Sequence, residues 1–491
     1  MCYLSIFHAF IYYKMTFTSL EFLLFFPIVV ILYNLMPQRC RVWYLLGTSY
    51  LFYAFMQPVY LLLLAIVTAI TYCTTRWIGK SVDDRNKYRI MVGGILLVLC
   101  PLFFFKYYNF VNDLFIGILQ NLGVFVCLPK ISFLLPVGIS FYTFMAIGYI
   151  VDVYNEEVEV EKDVAHVGLF LSFFPIILSG PIERANNIFP QLKNLSRSEP
   201  IDLTSGAKLM LWGYFMKLCV ADRLGIYIDA VFNNIYHHNG TSLAFASLLY
   251  PFQVYADLGG YSLIAIGAAR CMGIQIIPNF KRPFFATSMS ELWRRWHMSL
   301  INWLTDYIYT PLSFTLRNWK IWGIICSLML TFLISGIWHG AALTFIVWGL
   351  IQGVYLSIEA LLLKKRNRLE TQYGLTKKWW YVLVCCLGVF VLFSFSQIFG
   401  KCTSLHDSFI VIGKIFTEHG SLFVDPTTLG YAFFALTILI FKDFRDEFFP
   451  KKCLFFYSSN IVVRFISYII VLFMIVNMGV LDSGQFIYFQ F

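Results

Sequence analysis

The chain has 491 residues, of which 59% are hydrophobic and 13% charged, with a formal net charge of +10. An ordinary soluble domain carries roughly 25% charge, so about half the usual solvating surface is missing and a soluble fold is excluded. The Lys and Arg residues sit in short runs between apolar stretches, as the positive-inside bias of membrane proteins requires, and this excludes nucleic acid as a partner.

Residues 1–14 (MCYLSIFHAFIYYK) read as an N-terminal extension ahead of Met15, a second candidate start, and residues 15–491 as a single membrane domain. A membrane-crossing helix needs about 20 mostly apolar residues. In chain order the candidates are 20–36, 42–56, 59–77, 90–106, 109–128, 136–153, 164–180, 205–220, 243–256, 321–337, 340–363, 379–399, 428–442 and 463–480. Several are short, so the pattern predicts an all-α polytopic bundle of roughly 11–14 membrane helices with tilted, interfacial or re-entrant pieces. Any broken helix must be sheltered by its neighbours, because lipid offers no partner to an open backbone group. The connections holding Arg39 and Arg41, Arg76 to Arg89, Lys364 to Arg368 with Lys377 and Lys378, and Lys442 to Lys452 are basic and placed on the cytoplasmic side. The connection Asp152–Asp163 is acidic, which fixes no side. The 12 cysteines show no paired C-x-x-C spacing and read as small buried hydrophobes, not as a disulfide frame or a metal site.

Ionisable residues inside a membrane are costly, so each is a functional candidate. Of eight histidines, His8, His237, His238, His406 and His419 fall in loops or ends, and His166 opens a span. His339 lies in TFLISGIWHGAALTFIVWG, the most apolar histidine setting in the chain. Thr331, Ser335 and His339 recur every four residues on one helical face, and Gly336 and Gly340 allow another backbone to approach. An imidazole there reads either as a general base, its ordinary pKa lying near 6.5, or as a hydrogen-bonded structural residue. His297 lies in SELWRRWHMSLINWL, at the edge of a helix face formed by Trp293, Trp296, Leu300 and Trp303, with Arg294 and Arg295 turned away. That pattern fits a helix lying in the interface or lining a funnel floor. Lys281, Arg282, Arg294 and Arg295 would hold donor phosphates or meet anionic headgroups. In YADLGGYS, Asp257 precedes Tyr261 and interrupts an apolar run, either as a buried acid with a role or as a helix cap. In SGPIER, a Gly-Pro break precedes Glu183 and Arg184. No P-loop, G-x-S-x-G elbow or dinucleotide fingerprint is present.

Five segments together resemble the membrane-bound O-acyltransferase superfamily, and within it the alginate O-acetyltransferase branch. They are FTSLEFLLFFPIVVILYNLMP; LPVGISFYTFMAIGYIVDVY with FFPIILSGPIER; NFKRPFFATSMSELWRRWHMSLINWLTDYIYTPL; ISGIWHGAALTFIVWG; and the ending FIYFQF. The resemblance covers the chain from Phe17 onward, and its two histidine segments stand 42 residues apart by their histidines. It implies a helical bundle around a central tunnel, with His339 as the catalytic residue and His297 as its partner. Trp293, Arg294, Arg295, Trp296, Ser335, Trp338, Asp257 and Tyr261 become substrate- or donor-binding candidates. No permanently bound cofactor or metal is implied. The donor would be acetyl-CoA or another acyl thioester from the cytoplasm, and the acceptor a polysaccharide hydroxyl outside. The resemblance further implies a multi-pass protein of a bacterial inner membrane and a periplasmic SGNH-type partner. The chain departs from the family at Leu263, where a second acidic residue is usual, at Thr305, where Arg is usual, and at FSQIFGKCTS (395–404), where a W-V-F-F-R-A-like segment is usual. These departures bear on acceptor binding. A D-alanyl transferase acting on teichoic acid, a polysaccharide transporter and a non-catalytic secretion scaffold are the rival readings; the absence of an internal repeat weighs against the transporter.

Overall fold

A computed structural model of the chain describes residues 15–126, 128–450 and 455–481. The expected extension over 1–14, the FIYFQF ending, and Lys451 and Lys452 lie outside the described residues. No strand occurs among the described residues, and the architecture is all-α, as expected. They gather into two compact units, one of residues 15–210 and Ile264–Ile277, the other of Leu211–Leu263 and the described residues from Pro278 onward.

In the first unit, α1 (Leu20–Leu35), α2 (Gln38–Met56) and α3 (Leu61–Lys80) lead into a continuous helical stretch over Asp84–Asn121. That stretch joins α4 (Asp84–Leu102) to α5 (Tyr108–Asn121) through a π turn, so the expected spans 90–106 and 109–128 are one element. The helix α1 shows how a membrane helix differs from a soluble one. Leu20, Leu24, Ile28, Ile31 and Leu35 face outward, while Phe22, Phe26, Val29 and Tyr33 are buried. Both faces are apolar because lipid, not water, covers the outer one. Most of α6 (Ile139–Tyr154) is buried. The expected span 164–180 is broken into α7 (Val164–Ser172) and α8 (Phe174–Ile177), and the freed Phe174 N–H is satisfied by the Ser49 hydroxyl at 3.1 Å. Helices α9 (Ala185–Lys193) and α10 (Pro200–Tyr214, in this unit as far as Met210) follow, and Glu183, just ahead of α9, ties the start of α9 to the chain at Ile277. Its carboxylate accepts hydrogen bonds from the backbone N–H of Arg184 (3.1 Å) and Ile277 (2.6 Å) and from Asn187 (2.9 Å). Arg41, assigned to a basic connection, is instead buried inside α2, stacked 5.2 Å over Tyr33 and donating to the Leu195 carbonyl. A guanidinium with carbonyl and ring partners survives burial that a bare charge would not.

In the second unit, a π turn over Phe215–Ala221 precedes α11 (Asp222–Phe232), α12 (Gly240–Cys271, in this unit as far as Leu263), α13 (Met289–Arg295), α14 (Met298–Leu304) and α15 (Thr310–Thr315). The membrane helices α16 (Ile321–His339), α17 (Leu343–Tyr373) and α18 (Trp379–Lys401) follow, then α19 (Leu405–Thr417), α20 (Pro426–Phe448) and α21 (Ile461–Met478). Side-chain caps from Ser288, Ser404, Asp425 and Asn460 start α13, α19, α20 and α21, each answering a helix N–H that has no partner within its own helix. Helix α17 has 31 residues, which at 1.5 Å per residue is longer than a hydrocarbon core of about 30 Å. The basic residues Lys364 to Arg368 therefore ride on a helix that outruns the membrane, where a loop was expected.

Seven described helical stretches are each long and apolar enough to cross a bilayer. Others of the 11–14 expected are shorter (Leu20–Leu35, Ile139–Tyr154) or interrupted, as over 164–180 and 205–220. A span read from composition alone has no way to register these interruptions, since they are stabilised by partners distant in sequence.

Candidate functional site

The site is built where α16 meets α17. A Cβ at Gly336 would run into the Phe345 carbonyl and lie 3.3 Å from the Gly349 Cα, and one at Gly349 would strike the Phe332 carbonyl. The expected close approach at Gly336 is therefore present, with Gly349 as the matching surface. Gly340 does something else. It ends α16 in an extended conformation and lies against the Phe345 ring. His339 is thus the last residue of α16, half-buried, with Trp338, Phe345 and Trp348 around its ring at centroid distances of 5.0, 6.4 and 4.9 Å. One turn back, Ser335 is fully buried and its hydroxyl makes no hydrogen bond within the described protein.

His297 reaches the same place from another direction. The expected interfacial helix across 293–303 does not form. It breaks after Arg295 into α13 and α14, with His297 between them in the left-handed conformation at φ 43°. Trp293, Trp296, Leu300 and Trp303 are all buried in the protein, not laid on the membrane surface. A left-handed residue with a side chain is uncommon, although histidine tolerates it better than most. Asn279 holds it there. Its carbonyl accepts the Met298 N–H at 2.8 Å, its side-chain oxygen accepts the Ser299 hydroxyl at 2.9 Å and N–H at 3.3 Å, and its amide donates to Ser262 at 3.0 Å. Asn279→Ala is expected to release this turn, at a cost of about 1–3 kcal/mol for the orphaned groups. Thermal unfolding in detergent would show the loss, with Asn279→Asp milder because it keeps the acceptor for Ser299.

The two imidazoles meet across Trp338, which lies 6.0 Å from His297 and 5.0 Å from His339 by ring centroids. From there the aromatic contacts close on themselves. Trp348 joins His339 to Trp293 (5.9 Å), Phe393 joins Trp293 to Trp296 (6.0 and 4.8 Å), and Phe280 joins Trp296 to His297 (5.3 and 6.3 Å). The circuit is pinned by Gln352, which accepts from the Trp293 indole at 3.3 Å and donates to Ser396 at 2.6 Å. Glu359 fixes its near side by accepting from the Met289 and Ser290 N–H groups and the Ser290 hydroxyl.

The two rings differ in environment. His297 is 1% exposed, and burial pushes its pKa from 6.5 down to about 3. It is neutral at any ordinary pH and makes a poor base. His339 is half-buried at a helix C-terminus, whose dipole stabilises positive charge.

The remaining candidates are placed as follows. Arg294 is exposed and bonds the Ser290 carbonyl. Arg295 is answered by Glu291 (2.6 Å) and Glu447 (3.0 Å), and Glu447 also pairs with Arg282 (2.8 Å). Asp257 is a buried acid inside α12 and not a cap; it pairs with Lys217 at 2.6 Å, and Lys217 also binds Asp222 at 2.7 Å and lies 5.6 Å over Tyr261. Gly259 and Gly260 do not interrupt α12. A Cβ on Gly260 would sit 2.8 Å from the Gly213 carbonyl, so glycine there admits a neighbouring backbone. Asn279, Gln352, Trp348 and Lys217 were not singled out from sequence. Gln352 and Lys217 carried a readable signal, since each is a lone polar residue in an apolar run.

Comparison with known proteins places this geometry. The family model described as MBOAT, membrane-bound O-acyltransferase family, matches residues 163–398, which hold both histidines. A probable alginate O-acetylase of Pseudomonas syringae pv. tomato is 37% identical over 352 residues, 70% of this chain and 66% of that protein. One from Pseudomonas putida is 36% identical over 352 residues, 70% of each chain. A peptidoglycan O-acetyltransferase of Helicobacter pylori is 30% identical over 353 residues, 66% of this chain and 64% of that protein. The chain thus spans a little under two thirds of the length of the first of these relatives. With the histidine segments in place and this likeness along its length, the chain belongs to the membrane-bound O-acyltransferase family.

Proposed function

We propose that this multi-pass membrane protein transfers an acetyl group from a thioester donor to a hydroxyl of a polysaccharide. The observation that carries the reading is the pairing of a half-buried imidazole with a sealed, neutral one across a single indole, inside a closed aromatic circuit. His339 accepts the acceptor's hydroxyl proton as the oxygen attacks the thioester carbonyl; the C–O bond forms, the C–S bond breaks, and the thiolate leaves with the proton that the imidazolium returns. The negative end of the α16 dipole favours the positive charge that the ring gains on the way. His297 orients a reactant or donates a hydrogen bond and does not take the proton, because burial disfavours its charged form. The aromatic walls keep out water, which would otherwise hydrolyse the thioester.

The donor is acetyl-CoA or another acyl thioester, entering from the side of the basic connections, which is the cytoplasm if the protein lies in a bacterial inner membrane. The acceptor enters from the opposite face, directly or through a periplasmic SGNH-type partner. The relatives named for alginate and peptidoglycan O-acetylation support a glycan acceptor. The test is reconstitution of the full chain in proteoliposomes with acetyl-labelled thioester on the side of Lys364 to Lys378 and polysaccharide on the other. Label is expected in ester linkage on the glycan, and glycan crossing the membrane unmodified would favour a transporter instead.

A further inference from the structure

At the end of α18 remote from its basic start, a cavity of about 240 Å³ is lined by Asp229, Phe232, Asn233, Lys401, Thr403 and Asp407, among others. It is eight times the roughly 30 Å³ that one water occupies, which is room for a single sugar ring. Its polar groups are held in place. Lys401 pairs with Asp229 at 2.6 Å and lies 5.5 Å over the Tyr250 ring. Asp407 accepts from the hydroxyls of Tyr236 (3.1 Å), Thr403 (3.1 Å) and Ser404 (2.8 Å). Those hydroxyls, Ser404 foremost, hold its carboxyl below the ordinary range, so it remains ionised.

Three placements tie the cavity to the site. Lys401, Cys402 and Thr403 follow closely on Phe393 and Ser396, which belong to the aromatic circuit and to its Gln352 anchor. Gly400, just before Lys401, packs against Phe345, a Cβ there lying 4.0 Å from Phe345 Cε1, and Phe345 stacks on His339. The cavity also lies away from Lys377 and Lys378, at the far end of a 23-residue helix.

We infer that this cavity is the acceptor subsite and that it takes an uncharged, hydroxyl-rich sugar unit in preference to a uronate. The inference rests on the acyltransferase reading. Fixed carboxylates, an ammonium, an amide and a hydroxyl beside an aromatic ring supply both acceptors and donors, which is what vicinal hydroxyls require. The lining carries two carboxylates against one ammonium, so a uronate would meet net repulsion and an uncharged ring would not.

The experiment is direct binding to the full chain in nanodiscs, using cello-, malto- and chito-oligosaccharides beside oligomannuronate. At least one uncharged oligomer is expected to bind more tightly than the uronate. Its affinity is expected to weaken about tenfold to a hundredfold in Asp407→Asn, which keeps the shape and loses the charge. Asn233→Ala, at an exposed position that folding tolerates, is expected to weaken it less but measurably. Tighter binding of the uronate, binding of none of the uncharged oligomers, or unchanged affinity in both variants would each overturn the assignment. Labelled acyl transfer run on the same samples separates the two readings. Transfer without the expected sugar binding removes only the subsite, whereas sugar binding by a wild-type chain that transfers from no thioester removes the acyltransferase reading itself.

Discussion

Replacing His339 with alanine is expected to abolish acyl transfer while leaving the amount of protein in the membrane unchanged. A positioned general base contributes about 10²–10⁴ in rate, and no second basic group takes its place. The neighbouring imidazole is sealed and neutral, with its pKa near 3. The structural cost is small by comparison, because His339 is half-buried at a helix end and its loss removes ring contacts to Phe345 and Trp348 of α17 while leaving the close Gly336–Gly349 packing in place. Labelled acetate on the glycan, set against immunoblotting of the membrane fraction, gives both quantities from one culture. Full acetylation by the variant would remove His339 from the chemistry. His297→Ala is expected to be partial by the same measure, since an orienting group is lost and not the base.

Gly336→Leu is expected to produce a large loss of stability in the bundle. A Cβ at that position already meets the Phe345 carbonyl, and backbone cannot rotate out of the way as a side chain would. Overpacking of this kind costs typically 1–3 kcal/mol and more when the backbone must shift. Without a hydrophobic force between helices in lipid, close packing is a main source of their association. Gly388→Leu in α18 is the matched control, because a Cβ there meets nothing within 4 Å. Thermal unfolding in detergent is expected to show a large drop for the first and none for the second. Equal melting of the two would mean that α16 and α17 are not held by this contact.

The sequence announces the membrane class, most of the apolar helices and both histidines, because each depends on composition or on local spacing. What it conceals depends on partners far along the chain. WRRWHMSL contains neither Gly nor Pro, and its tryptophans recur at helical spacing, so nothing local marks the break before His297. The turn is imposed by Asn279, through hydrogen bonds to Met298 and Ser299. In YADLGGYS, just past the end of the expected span 243–256, the helix runs on without a break, and Gly260 stands inside it to admit another backbone. The span 164–180 fails similarly, since the Ser49 hydroxyl that lets it break lies 125 residues earlier.

The circuit of rings around His297 and His339 has a thermodynamic consequence. Indole and phenyl groups turn about two torsions each, and here both are already fixed when the chain folds. Little side-chain freedom remains to be surrendered when reactants arrive. The enclosure is therefore stiff before it is filled, and the binding free energy of donor and acceptor is left for bringing carbonyl and hydroxyl together.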